Sequence, residues 1–144
     1  MNYNAKEELI KMDEYYLDSD LKHTYQKQRE KIILILNAIE LIWKRKILDE
    51  QNFEILNEGL KNSWVVVSYY IVGKEINLMT GKVKGIEELI LKGIEDKKWQ
   101  TRFNSVVIIK GFKNKEIRNR VIELALNDKS KKVREMALDV KAYW

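Results

Sequence analysis

A short segment near the C-terminal end occurs twice. Asp96-Lys97-Lys98-Trp99-Gln100-Thr101-Arg102 returns 32 residues later as Asp128-Lys129-Ser130-Lys131-Lys132-Val133-Arg134, and in each copy an Asp precedes an Arg by six positions. The residues upstream keep this register, so that Leu89, Ile90, Gly93 and Ile94 align with Val121, Ile122, Ala125 and Leu126. A fixed period of this size is the mark of stacked helical units, each burying its apolar face against its neighbours. Scaffolds of this kind mostly present surfaces for binding, so the feature constrains architecture far more than chemistry.

Composition agrees with an all-α chain. The 144 residues contain no proline and six glycines, so no helix is broken by a ring clash or a missing donor. The apolar fraction is 45% and the charged fraction 34%, as in a folded domain. By length the chain is one domain, residues 1–144, with enough apolar content for a sizeable core. Cysteine is absent, which excludes disulfides and thiolate metal sites and fits a reducing compartment. The first ten residues carry Lys6, Glu7 and Glu8 and no apolar leader, so the expectation is a cytoplasmic protein. The longest apolar stretch, Ile32 to Trp43, is interrupted by Asn37 and Glu40 and is too short to span a bilayer.

Helical spacing predicts the following elements. Asn4 to Leu17 places Leu9, Met12 and Tyr16 on one side, and Asp18-Ser19-Asp20 offers caps for the next helix. Residues 20–48 are polar to Arg29 and then apolar nearly all round, which one helix or two would satisfy. Asp49 to Lys61 and Trp64 to Ile76 follow, with Asn62-Ser63 as cap between them. The Trp64 to Val72 run is rich in β-branched and aromatic residues and resembles a strand. Register overrides this, because Ile55, Leu56, Gly59 and Leu60 align with Leu89, Ile90, Gly93 and Ile94 at an offset of 34, and Trp64 with Trp99 at 35. Lys82 to Glu95, Lys97 to Phe112, Lys115 to Asn127 and Ser130 to Trp144 complete the chain. In the last unit Phe103 is replaced by Glu135 and Val107 by Asp139, as expected where a stack ends.

Asp-(five residues)-Arg followed by a small and apolar run, best developed at Asp128 to Leu138, resembles the HEAT repeat in its short bacterial form. The resemblance covers Lys82 to Trp144 well and Asp49 to Ile76 weakly, with Asn62 in the Asp slot. It does not reach residues 1–48. It implies a right-handed α-solenoid of about three to four antiparallel helix pairs with a C-terminal capping repeat. It further implies that Asp96, Arg102, Asp128 and Arg134 form a structural ladder between neighbouring turns, a role to which bidentate guanidinium geometry is suited.

No catalytic or cofactor-binding constellation is legible. His23, the sole histidine, lies in a polar segment without an orienting partner. There is no calcium loop and no glycine-rich phosphate loop, and no metal or cofactor is expected. Two clusters remain. Lys97, Lys98, Arg102, Lys129, Lys131, Lys132 and Arg134 form a basic ridge, which is either a solvated turn region or a track for phosphates. Trp64, Tyr69, Tyr70, Trp99 and Phe103, with Trp43, Tyr143 and Trp144, are either core or interface anchors. The net charge of +5 reads as solubility or as attraction to an acidic partner.

These features predict a non-catalytic module that binds another protein, a class that includes immunity proteins neutralising a partner toxin. Nucleic-acid binding along the basic ridge is the alternative. Membrane-surface binding around Ile32 to Trp43 is a third reading, and no membrane partner is expected. The expected working face is that of the second helices, with Tyr69, Tyr70, Lys98, Gln100, Lys131, Lys132 and Glu135 as partner-binding residues.

Overall fold

A computed structural model of the chain describes residues 2–143. It is all-helical. In order come α1 (Ala5–Tyr16), α2 (Lys22–Arg45), α3 (Glu50–Leu60), a π-helical segment π1 (Val66–Gly73) running directly into α4 (Lys74–Met79), α5 (Ile86–Gly93), α6 (Trp99–Ile109), α7 (Lys115–Leu126) and α8 (Lys131–Tyr143). Trp144 lies outside the described residues. No helix among the described residues is long and apolar enough to cross a membrane.

Residues 22–45 form one helix, about 36 Å long at 1.5 Å per residue. Its apolar half supplies Ile32, Ile35, Leu36, Ile39, Ile42 and Trp43 to the core. Its polar half is held by α1. Asp13 accepts from Arg29 Nε (2.9 Å) and Nη2 (2.8 Å) and from the buried Tyr25 hydroxyl. The Arg29 hydrogen bonds hold the Asp13 carboxyl below its ordinary range, while burial and then Asp13 push the Tyr25 phenol up to about 12. The Asp18-Ser19-Asp20 segment does not cap α2. Leu21 is the N-cap, without a side-chain bond, and Ser19 Oγ accepts from Leu21 N–H in the preceding turn.

Helices adjacent in the chain pack as pairs: α1 on α2, α3 on π1, α5 on α6, α7 on α8. The first members α3, α5 and α7 also touch in succession, as do the second members π1–α4, α6 and α8. A continuous core fills the space between, with Leu56, Leu60, Ile76, Met79, Ile86, Leu89, Ile90 and Phe112 fully buried. Within two pairs the helices approach closely at a glycine. A Cβ on Gly59 would stand 2.7 Å from Val72 Cγ2, and one on Gly93 would stand 2.3 Å from Ser105 Oγ. The aligned Ala125 of α7 is fully buried.

Two expected elements differ in detail. The Trp64 to Val72 run is helical, but as π turns from Val66, extended by α4 to Met79. Lys74 N–H reaches Tyr69 O, five residues back. β-Branched side chains crowd the preceding turn of an α-helix, and this segment concentrates them at Val65, Val66, Val67, Ile71 and Val72. The helix predicted over Lys82 to Glu95 begins only at Ile86, after Gly85 at φ 99°. Residues 82–85 are instead drawn into a backbone pairing with the α2–α3 loop. Leu48 N–H donates to Lys84 O (2.9 Å) and Lys84 N–H to Lys46 O (3.1 Å).

Candidate partner-binding groove

The turns before the second helices set the site. Asn62 Oδ1 accepts from Trp64 N–H (2.9 Å), Asp96 Oδ2 from Lys98 N–H (3.0 Å) and Asp128 Oδ1 from Ser130 N–H (2.8 Å). This is one side-chain turn made three times, and it satisfies a backbone donor where each chain segment enters a helix. It also fixes the register across the turns at 34 and 32 residues. Trp64 therefore corresponds to Lys98, and Val65 to Trp99, which corrects the alignment of the two tryptophans. Their surroundings differ accordingly. Trp64 packs edge-on against Tyr16 of α1 (5.4 Å), whereas Trp99 packs against Phe103 (6.0 Å) and beneath Lys132 Nζ of the next unit (5.0 Å).

Beside these turns runs a line of ion pairs. Arg102 donates to both carboxylate oxygens of Asp128, Nε at 2.8 Å and Nη2 at 3.1 Å, with both side chains over nine-tenths buried. Its Nη1 donates to the carbonyls of Asp96 (2.8 Å) and Lys97 (3.0 Å). Arg134 Nη1 likewise donates to the Asp128 carbonyl (2.6 Å). Asp96 takes its cation from Lys61 Nζ (3.3 Å), because the Arg position of the preceding unit is the buried Ser68. Burial by itself would raise both carboxyls. For Asp128 the Arg102 hydrogen bond, and for Asp96 the Lys98 N–H and then Lys61, more than offset it, and both titrate below the ordinary range. Asp96, Arg102 and Asp128 are thus tied to one another and to backbone, whereas the half-buried Arg134 is held to backbone through Nη1.

Outside this line, two hollows open between π1–α4 and α6. One, of about 360 Å³, is lined by Val65, Ser68, Trp99, Gln100 and Phe103, with Lys61, Lys98 and Lys132 around it. The other, of about 390 Å³, is lined by Tyr69, Tyr70, Leu78, Val107 and Tyr143, with Lys74 and Lys110. They lie end to end on one seam. Gln100, Phe103 and Val107 of α6 fall at i, i+3 and i+7, a single helix face, and Gly111 follows just past its end. None of the described residues lining either hollow is an Asp or a Glu. Lys132 sits over the Trp99 ring, and Lys110 Nζ stands 4.1 Å from the centre of the Tyr143 ring. Lys74 also borders a third hollow that contains Glu8 and the buried Glu75.

The expected binding residues divide on this surface. Lys98, Gln100 and Lys132 line the first hollow and Tyr69 and Tyr70 the second, the two tyrosine rings in edge contact at 5.2 Å. Lys131 and Glu135 line neither. They are exposed on α8 and pair with each other at 3.7 Å. Lys97 and Lys129 are exposed, and His23 is exposed on the first turn of α2. The sequence reading missed Lys61, Val65, Lys74, Val107 and Lys110 as groove residues. One signal for Phe103 and Val107 was present, since both turn acidic in the last unit while remaining apolar and half-buried here. The lysines carried none, because only the fold brings Lys61 and Lys74 beside α6. Among the described residues, no group of three or more His, Asp or Glu side chains is placed to hold a metal ion. Comparison with protein-family models, with characterised proteins and with solved structures finds no match to this chain.

Proposed function

We propose that the chain is a non-catalytic helical-repeat module that binds another protein along the seam between π1–α4 and α6. The observation that carries this reading is the composition of the seam: among its described lining residues, aromatic and aliphatic side chains with five lysines, of which Lys61 is paired with Asp96 and Glu58, and no Asp or Glu, in a chain holding 22 acidic residues. Partly exposed Tyr, Trp and Phe are the side chains from which interface hot spots are built. A rim richer in lysine than in acid steers an acidic partner and disfavours basic ones. The successive packing of first and second helices and the repeated turn support a short HEAT-like α-solenoid ending in a capping unit at α7–α8, right-handed if the resemblance holds. Neutralising a toxin by covering an acidic surface is one form that such a module takes.

The distribution of charge favours a protein over a nucleic acid. Lys61, Lys98 and Lys132 cluster at one end and Lys74 and Lys110 at the other, while the middle is Ser68, Tyr69, Phe103, Asn104 and Val107. A nucleic-acid strand carries evenly spaced phosphates and would leave several of them over this uncharged stretch. The test is affinity capture from native lysate with the wild-type chain and with Lys98→Glu/Lys110→Glu, each with and without nuclease. One protein retained by the wild type, insensitive to nuclease and lost from the variant is the expected outcome. Retained material that disappears on nuclease treatment would replace this reading with nucleic-acid binding.

A further inference from the structure

The third hollow, of about 250 Å³, lies between π1–α4 and the N-terminal end of the fold. Glu75 lines it from α4. This side chain is only 6% exposed, yet it forms no salt bridge among the described residues. The one hydrogen bond it accepts there, from Trp43 Nε1, is long at 3.4 Å. Buried carboxylates are ordinarily paired with a cation and held by short hydrogen bonds. The other charged groups of the hollow do not fill this role. Lys74 is exposed and makes no salt bridge to Glu75, and Glu8 of α1 approaches the exposed Lys11 at 3.9 Å. Burial first, and then Glu75, Glu8 and Glu40, raise the Tyr3 phenol, so three carboxylates act on this one ring, the third of them accepting from Ala5 N–H. The remaining walls include the Tyr3 and Tyr70 rings, Met12, Leu36 and Leu78.

We propose that this hollow binds an organic cation, a primary ammonium on a short aliphatic chain, with Glu75 as its counter-charge and the two tyrosine rings along its chain. At about 30 Å³ for each water-sized group the hollow holds roughly eight, which suits a chain of about four to six carbons. The ammonium supplies the partner that the buried carboxylate lacks, and it is also attracted to the ring faces. The apolar walls cover the methylenes. A free alkylamine and the lysine side chain of a partner protein share this chemistry. The hollow adjoins the second hollow of the seam through Tyr70, Lys74 and Leu78, but the site does not require the seam to bind protein.

The experiment is titration of the ¹⁵N-labelled full-length chain at pH 7 and constant ionic strength. The probes are n-pentylammonium chloride, 1-pentanol and N-acetyl-lysine methylamide. The Trp43 indole N–H, bonded to Glu75, is the reporter, assigned by its absence from Trp43→Phe. The expected result is a saturable shift of that signal and of residues 70–78 by the amine, with Kd about 1 mM. Glu75→Gln, verified as folded by circular dichroism, should weaken binding about tenfold or more, and 1-pentanol should not saturate. In the wild type, amine affinity should decline from pH 7 to about 4 as Glu75 is protonated while the ligand stays charged. Tighter binding of the lysine derivative than of the amine assigns the site to a partner's side chain, and the reverse order assigns it to a free amine. No saturable shift from either cation up to about 20 mM, binding of 1-pentanol as tight as that of the amine, or an affinity unchanged by Glu75→Gln overturns the inference. Each of these leaves protein binding at the seam standing.

Discussion

Replacing Asp128 by Ala should be among the most damaging single changes in this chain. Asp128 has two functions. Both of its oxygens receive the Arg102 guanidinium, and Oδ1 also accepts from Ser130 N–H at the start of α8. The pair is over nine-tenths buried, so removing one member strands a cation without its counter-charge, at a cost of about 3–5 kcal/mol. Loss of the turn adds about 1 kcal/mol. Arg102 retains its bonds to the Asp96 and Lys97 carbonyls, which places the total nearer the lower end. For a chain of this length the melting temperature should fall by about 8–16 °C. Urea denaturation followed by circular dichroism gives the free energy directly. Asp128→Asn keeps the acceptor for Ser130 and loses only the charge, so it should cost clearly less. The sign with pH follows from the carboxyl titrating below its ordinary range. The stability it contributes is present above the unfolded value near 3.9 and is lost as pH falls through the folded one. The gap between wild type and Asp128→Asn should hold from pH 7 to about 4 and close below that. A cost for Asp128→Ala under about 1 kcal/mol is what an exposed pair gives, and would refute the reasoning.

Three further outcomes are expected. Gly59→Ala drives a methyl to 2.7 Å from Val72 Cγ2 and should destabilise by about 1–2 kcal/mol net of the helix propensity gained; combined with Val72→Ala, the loss should fall short of the sum by at least about 1 kcal/mol in a double-mutant cycle. Gly85→Ala places a side chain at φ 99° and 3.3 Å from Leu48 Cβ, and should lower stability by about 1–2 kcal/mol, read by thermal melting. Burial, above all, raises the Glu75 carboxyl, so its contribution is most favourable below the unfolded value and declines as pH rises through the folded one. Glu75→Gln keeps an acceptor for Trp43 Nε1 and should stabilise the chain at pH 7, with the gain vanishing in melts below about pH 4.

The helices were largely legible because their signals are local. Apolar spacing at Leu89, Ile90, Val121 and Ile122 and the Asn or Asp before each second helix are readable from neighbouring residues. The wide turns of π1 were not, because a run such as Val65 to Val72 is consistent with a strand, an α-helix or a π-helix until Gly73 packs against Ile108. The unwound 82–85 segment depends on its bridge to residues 46–48, a contact across more than thirty positions. The groove was half legible. Tyr69, Tyr70, Lys98, Gln100 and Lys132 stood out by type and by repeat position. Lys61, Lys74 and Lys110 gain meaning only when π1–α4 and α6 are laid side by side, and Lys131 and Glu135 lie outside the two hollows, exposed on α8.

The most direct test of the central claim is to map the captured partner onto the ¹⁵N-labelled chain by chemical-shift perturbation. The seam predicts shifts concentrated in residues 65–74 and 98–111, with Lys132 and Tyr143, and little change in α2 and in the loop carrying Lys82 and Lys84. Shifts concentrated on α1 and α2 instead, with the seam silent, would contradict the account.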